Sequence, residues 1–156
     1  MEEWRSLVTA EQEVARRRAE VNQLPSRVDL LAKALSSGSA WDRSAALDFL
    51  RLFPGDVPKL LDLLVDLSLS TGWVLPVREA IRAARKEIDP SQFARVALEC
   101  LSDGEAEDYL GLAYLLVEVE AWEALSAVID RAAASSDPEI REVSRSFTES
   151  HGGMLP

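Results

Sequence analysis

Residues 58–68 read PKLLDLLVDLS, residues 90–100 read PSQFARVALEC and residues 122–132 read WEALSAVIDRA. The three stretches begin at one spacing, since 90 − 58 and 122 − 90 are both 32. In that register Leu61, Phe93 and Leu125 coincide, as do Leu64, Val96 and Val128, and Val65, Ala97 and Ile129. Within each stretch these residues recur at three- and four-residue steps, which places them on one face of a helix. Ser68, Cys100 and Ala132 share a further position that takes a small side chain. Cys100 therefore has a packing role before any chemical one. A repeat of this length is the mark of stacked supersecondary units.

Outward from this core the same period continues. Trp41 and Trp73 are also 32 residues apart (73 − 41), and each opens a helical segment that precedes one of the matched stretches. Pairs of helices follow from this, nine in all. A degenerate first hairpin is predicted over 2–36, broken at Pro25, as helices over 2–23 and 26–36. Hairpins over 40–70, 74–102 and 105–135 are built from helices over 40–53, 57–70, 74–88, 90–102, 105–117 and 120–135. A capping helix over 138–150 completes a single domain of residues 1–150, and 151–156 are expected to be a disordered tail. Pro58 and Pro90 suit a first helical turn, where a missing N–H costs nothing, and Asp56 and Asp89 supply acceptors at those N-termini. Gly38, Gly72 and Gly104 punctuate the joins, where a positive φ is useful. Trp41, Trp73 and Trp122 suit staples between neighbouring hairpins, while Trp4 can be core or interface.

Composition narrows the class. With 47% hydrophobic and 28% charged residues, the chain is too apolar for disorder and ordinary for one globular domain. Seventeen basic against 27 acidic residues leave a net charge of −10. Such a chain is repelled by phosphate backbones and anionic lipid, so neither nucleic acid nor a membrane is the expected partner, and a basic protein is. The charge also serves plain solubility. One cysteine forms no internal disulfide, the acidic start Met1-Glu2-Glu3-Trp4-Arg5 is unlike a secretion signal, and no apolar run reaches the ~20 residues that span a bilayer. A cytoplasmic location is expected.

Two motifs resemble those of HEAT-type helical repeats. Val77-Arg78-Glu79-Ala80 looks like that family's valine-arginine-x-x-alanine element, and Asp137-Pro138-Glu139-Ile140-Arg141 looks like its aspartate-proline-x-isoleucine-arginine opening. The resemblance covers most of the chain from Ala40 onward. The fourth hairpin departs from it, carrying Tyr109-Leu110-Gly111-Leu112 where the Val-Arg pair would fall. The resemblance implies an all-α, right-handed stack of antiparallel helical hairpins, an α-solenoid. It also implies a scaffold, adaptor or inhibitor that binds on the face formed by each hairpin's second helix.

Catalytic constellations are not apparent. His151 is the sole histidine and sits in the predicted tail, so neither a His-rich metal site nor a positioned base is expected. Asp62 and Asp66 share a helix face at i, i+4, but a solvated acidic stripe explains them without further ligands. Arg16, Arg17 and Arg18 fan over about 200° of a helix and cannot form one patch. They suit pairing with Glu13 and Glu20, and Arg82, Arg85 and Lys86 suit pairing with glutamates such as Glu79. Some HEAT-like proteins are DNA glycosylases with a basic groove. Here the second helices carry Asp62, Asp66, Glu99, Glu123 and Asp130 against only Lys59 and Arg95, which opposes that reading.

The expected function is a non-enzymatic protein-binding module with no cofactor and no metal, an inhibitor, immunity-type protein or adaptor whose acidic face engages a basic partner. The candidate face is Asp62, Asp66, Glu123 and Asp130 around Ala94 and Leu98 of the middle hairpin. If that helix is rotated by one residue, Arg95 and Glu99 point outward and Leu98 is partly buried, and periodicity leaves both rotations open. The competing expectation is a scaffold that self-associates or sits in a larger assembly, its oligomeric state undetermined. A cofactor-dependent enzyme using Asp62/Asp66 or Tyr109/Tyr114 is the remainder.

Overall fold

The computed structural model describes residues 1–156. It is all-α, with nine α-helices, two 3-10 turns and no strand. The helices are α1 (Glu2–Asn22), α2 (Arg27–Ser36), α3 (Ala40–Leu52), α4 (Leu61–Ser68), α5 (Val74–Ala83), α6 (Pro90–Cys100), α7 (Ala106–Glu118), α8 (Trp122–Ala133) and α9 (Pro138–His151).

The helix starts follow from identifiable side chains. Ser39 Oγ accepts from the Asp42 N–H, Asp89 accepts from Ser91 and Gln92, and Asp137 accepts from Glu139. Glu105 and Asp108 form a reciprocal capping box at the start of α7. Pro90 and Pro138 sit in first turns, where the expected geometry is met. Pro58 does not. It lies inside a 3-10 turn over Pro54–Leu60, and the α-helix begins only at Leu61. Two prolines four residues apart remove donors and fix φ, so α-helical bonding is postponed past them. Asp56 accordingly serves as an ion-pair partner instead of a cap: its buried carboxylate receives Arg27 Nε at 2.5 Å and Nη2 at 3.3 Å, tying α2 to the turn.

Helix α5 also stops short of the predicted Ile88. After Ala83 the N–H groups of Ala84, Arg85 and Glu87 bond three residues back, and the Asp89-Pro90 dipeptide then forbids continuation. At the joins only Gly72 has a positive φ, of 90°. Gly38 and Gly104 do not, and the one other left-handed residue is Glu120, in the turn before α8. The predicted tail is ordered: α9 runs on to His151, a 3-10 turn covers Gly152–Met154, and half-buried Leu155 packs on the core. Apolar burial by Leu155, unremarkable in the sequence, holds this end down.

One core of 35 buried apolar residues runs through the molecule, and all nine residues of the three matched sets belong to it. Helix α6 touches α4 on one side and α8 on the other, and α8 in turn packs on α7 and α9. Hydrogen bonds fix the register of this row. Gln92 donates to the Pro58 carbonyl at 2.8 Å, Ser91 to Glu123 at 3.5 Å, and Arg131 to the Leu98 carbonyl at 2.7 Å. Each joins residues 32 to 34 positions apart, so starts meet starts and the three helices run parallel. The other row, α3, α5, α7 and α9, is likewise in contact from each helix to the next. Arg82, joined by Arg78, reaches Glu118 at the end of α7 and Arg85 pairs with Glu120 just beyond it, so these arginines bridge to the α7 end and do not pair with Glu79.

The tryptophans divide. Trp73 is half-buried beneath the Arg43 guanidinium, 5.6 Å from the ring centroid, and Trp122 is half-buried near the His151 ring. Trp41 is 87% exposed and Trp4 64%. Trp41 is no staple: it lies in the first turn of α3 on the side away from the core residues Ala46, Leu47 and Leu50.

Candidate functional site: a carboxylate-lined cleft

The parallel setting of α4 and α6 leaves a cleft between α4 and the C-terminal half of α6, closed at one end by the turn into α7. Its volume is about 550 Å³. Asp62 and Asp66 line it from α4, Glu99 from α6, Asp103 from the turn and Asp108 from the first turn of α7. Five carboxylates line it and no lysine or arginine does. Local sequence explains the arrangement. Asp62 and Asp66 are one helical turn apart, opposite Leu61, Leu64 and Val65, whose burial turns the acids outward. A Cβ on Gly104 would come within 3.2 Å of Leu101 Cδ2 and 3.3 Å of its carbonyl oxygen, so a small residue there lets the Asp103 turn close over the helix end. Asp108 is held by the Glu105 N–H at 3.0 Å.

Cys100 forms part of this floor. The matched position had placed it among small core residues, and Ser68 and Ala132 are indeed buried, but Cys100 is half-buried and reaches the cleft. Desolvation first, and then the negative charges of Asp66, Asp62 and Glu99, push its thiol up to about 11. A thiol so placed is protonated and a poor nucleophile at neutral pH. No three of the carboxylate, thiol and imidazole groups converge closely enough to hold a metal ion.

The expected face is only partly brought together. Asp62, Asp66 and Glu99 share the cleft, whereas Glu123 lies at the opposite end of the row, accepting from Ser91. Asp130 is exposed on α8 outside the cleft. Ala94 and Leu98 are half-buried against the core, and Arg95 and Glu99 are exposed and paired at 3.0 Å. Of the two rotations open to α6, the molecule has the one that turns Arg95 and Glu99 outward. Because Ala94 and Leu98 pack against the core, a fully exposed apolar centre does not form, and Arg131 donates to the Leu98 carbonyl beside them. Asp103 falls between helices, where a period carries no information, and Asp108 sits in the first turn of α7, where only the fold brings it to the cleft. The Asp103-Gly104 turn was the available signal.

A second cavity, of about 380 Å³, is apolar and lies at the other end, between Ile81, Ile88, Phe93 and Trp122, with Met154 and Pro156 at its edge. His151, expected in a loose tail, is instead stacked between Phe147 and Trp122, at 5.9 and 6.3 Å between ring centroids. No family model, curated protein or solved structure matches the chain. No helix is long and apolar enough to cross a membrane.

Proposed function

We propose that the chain is a HEAT-like stack of helical hairpins acting as a non-enzymatic protein-binding module, which receives a lysine- or arginine-rich segment of a partner protein in the α4–α6 cleft. The observation that carries this reading is a concavity lined by five carboxylates, of which Glu99 pairs with Arg95 while Asp62, Asp66, Asp103 and Asp108 have no ion-pair partner in the chain. By contrast Glu13 and Glu20 pair with Arg16 and Arg17, Asp56 with Arg27, and Glu118 with Arg78 and Arg82. Like charges at i, i+4 such as Asp62 and Asp66 weaken a helix by about 0.2–0.5 kcal/mol, and a cationic ligand reverses that sign. An acidic concavity also raises the association rate of a basic partner. The parallel α4, α6 and α8 row, with its cross-links 32 to 34 residues apart, supports the repeat architecture. An inhibitor, an immunity-type protein and an adaptor all fit this chemistry.

The test is fluorescence anisotropy with a labelled lysine/arginine-rich peptide at low and raised salt. Binding is expected to weaken steeply with salt and to be lost when Asp62, Asp66 and Asp103 are changed to asparagine. Equal binding by wild type and the neutralised variant sinks the reading.

A further inference from the structure

Helix α1 is the one helix of the molecule without a buried residue among its 21 positions. Yet it carries a continuous seam. Trp4, Leu7, Glu11, Val14, Arg18 and Val21 recur at alternating three- and four-residue steps, the spacing of a coiled-coil interface. Trp4, Leu7 and Val14 are 64%, 51% and 40% exposed. Beside the C-terminal half of this seam lies an open apolar groove of about 450 Å³, with Val14 and Val21 on one wall, Leu30 and Ala34 from α2 on the floor, and Ala45 and Phe49 from α3 opposite. The N-terminal half, with Trp4, Leu7 and Val8, has no such groove of its own and stands in solvent. Short helices are marginal in water unless an apolar face is packed, so the local Glu13, Arg16, Arg17 and Glu20 pairs leave this seam unaccounted for.

We propose that the seam is an interface with a second copy of this chain, two α1 helices pairing antiparallel about a twofold axis so that Trp4 and Leu7 of each copy fill the groove of the other. Charge selects this occupant and this direction. The first half of α1 carries Glu2, Glu3 and Glu11 against Arg5, and the second half carries Arg16, Arg17 and Arg18 against Glu13 and Glu20, with Arg18 also 3.9 Å from Asp48 of α3 in its own chain. Antiparallel pairing sets the acidic half of one helix beside the basic half of the other. It also brings each Glu11 within about one turn of the partner's Arg18, where parallel pairing would oppose Glu11 to Glu11 and Arg18 to Arg18. An isologous contact of this kind satisfies both grooves at once. The interface uses no residue of the acidic cleft, so it stands independently of the peptide-binding reading.

The experiment is sedimentation velocity on the full chain at tens of micromolar. The expected mass is twice 17.2 kDa. Leu7→Glu is expected to give a monomer with an unchanged melting transition of the body. Glu11→Arg is expected to dissociate the pair, and adding Arg18→Glu to that variant to restore it. A monomeric wild type overturns the proposal, as does a dimer indifferent to Leu7→Glu. A double charge swap that fails to restore a pair broken by Glu11→Arg overturns the antiparallel register.

Discussion

Helices α1 and α8 carry the same kind of apolar stripe and meet opposite fates. In α8, Leu125, Val128, Ile129 and Ala132 are buried by α6, α7 and α9. In α1, Trp4, Leu7, Val8 and Val14 face water beside an unfilled groove. The periodicity of a stripe fixes that a helix forms and which face seeks burial. What buries it is decided by the neighbours the chain brings alongside. For α8 these are α6, α7 and α9. For α1 the chain supplies only α2 and α3, and half the seam extends past them.

The sharpest way to break this comparison is one substitution in each helix. Leu125→Ala, at a fully buried site, is expected to lower unfolding free energy by about 2–5 kcal/mol in urea titrations. Leu7→Ala at concentrations too low for association is expected to change it by less than about 0.5 kcal/mol. Comparable losses at the two sites would mean that α1 is packed within its own chain.

The link between α2 and the turn before α4 is the next largest effect. Asp56→Ala strands the Arg27 guanidinium and is expected to cost about 3 kcal/mol, part of which Arg27→Met in the same chain recovers. Asp89→Ala removes the cap of α6 and is expected to cost about 1 kcal/mol, read as a lower urea midpoint with an unchanged slope.

The smallest effect has the opposite sign. Neutralising Asp62 and Asp66 to asparagine is expected to stabilise the chain by a few tenths of a kcal/mol through lost repulsion, the pattern of a surface kept for binding. The same change reaches Cys100. Its thiol lies at about 11 in the folded protein, above the unfolded value of about 8.5, so the folded state holds its proton longer. Stability from this group is therefore complete below about pH 8.5 and declines as pH rises toward 11. Alkylation by iodoacetamide at pH 8 is expected to run about two orders of magnitude slower than for a free cysteine, and faster in the Asp62→Asn, Asp66→Asn variant.

Much of the fold was legible from apolar cadence and caps. The nine matched residues are buried, and Asp89, Asp137 and the Glu105–Asp108 box open helices where the sequence places them. What the cadence missed has local causes. Pro54 and Pro58 together delay α4, Leu155 anchors a polar-looking end, and Trp41 marks the period while facing solvent. Of the site, Asp62, Asp66 and Glu99 were within reach because they sit on helices in a known register. The rotation of α6 was not, since it depends on contacts with its neighbours such as Arg131 to Leu98, and Asp103 and Asp108 reach the cleft through a turn and the start of α7 whose placement only the fold specifies.

Nuclear magnetic resonance titration of the labelled chain with the basic peptide addresses the cleft most directly. The amides of Asp62, Asp66, Glu99, Cys100 and Asp103 should shift together and saturably, with α1 and the Glu123 end unmoved. Shifts scattered over every acidic surface, or centred on Glu123 and Asp130, would contradict a built cleft and leave only the general attraction of a −10 chain for cations.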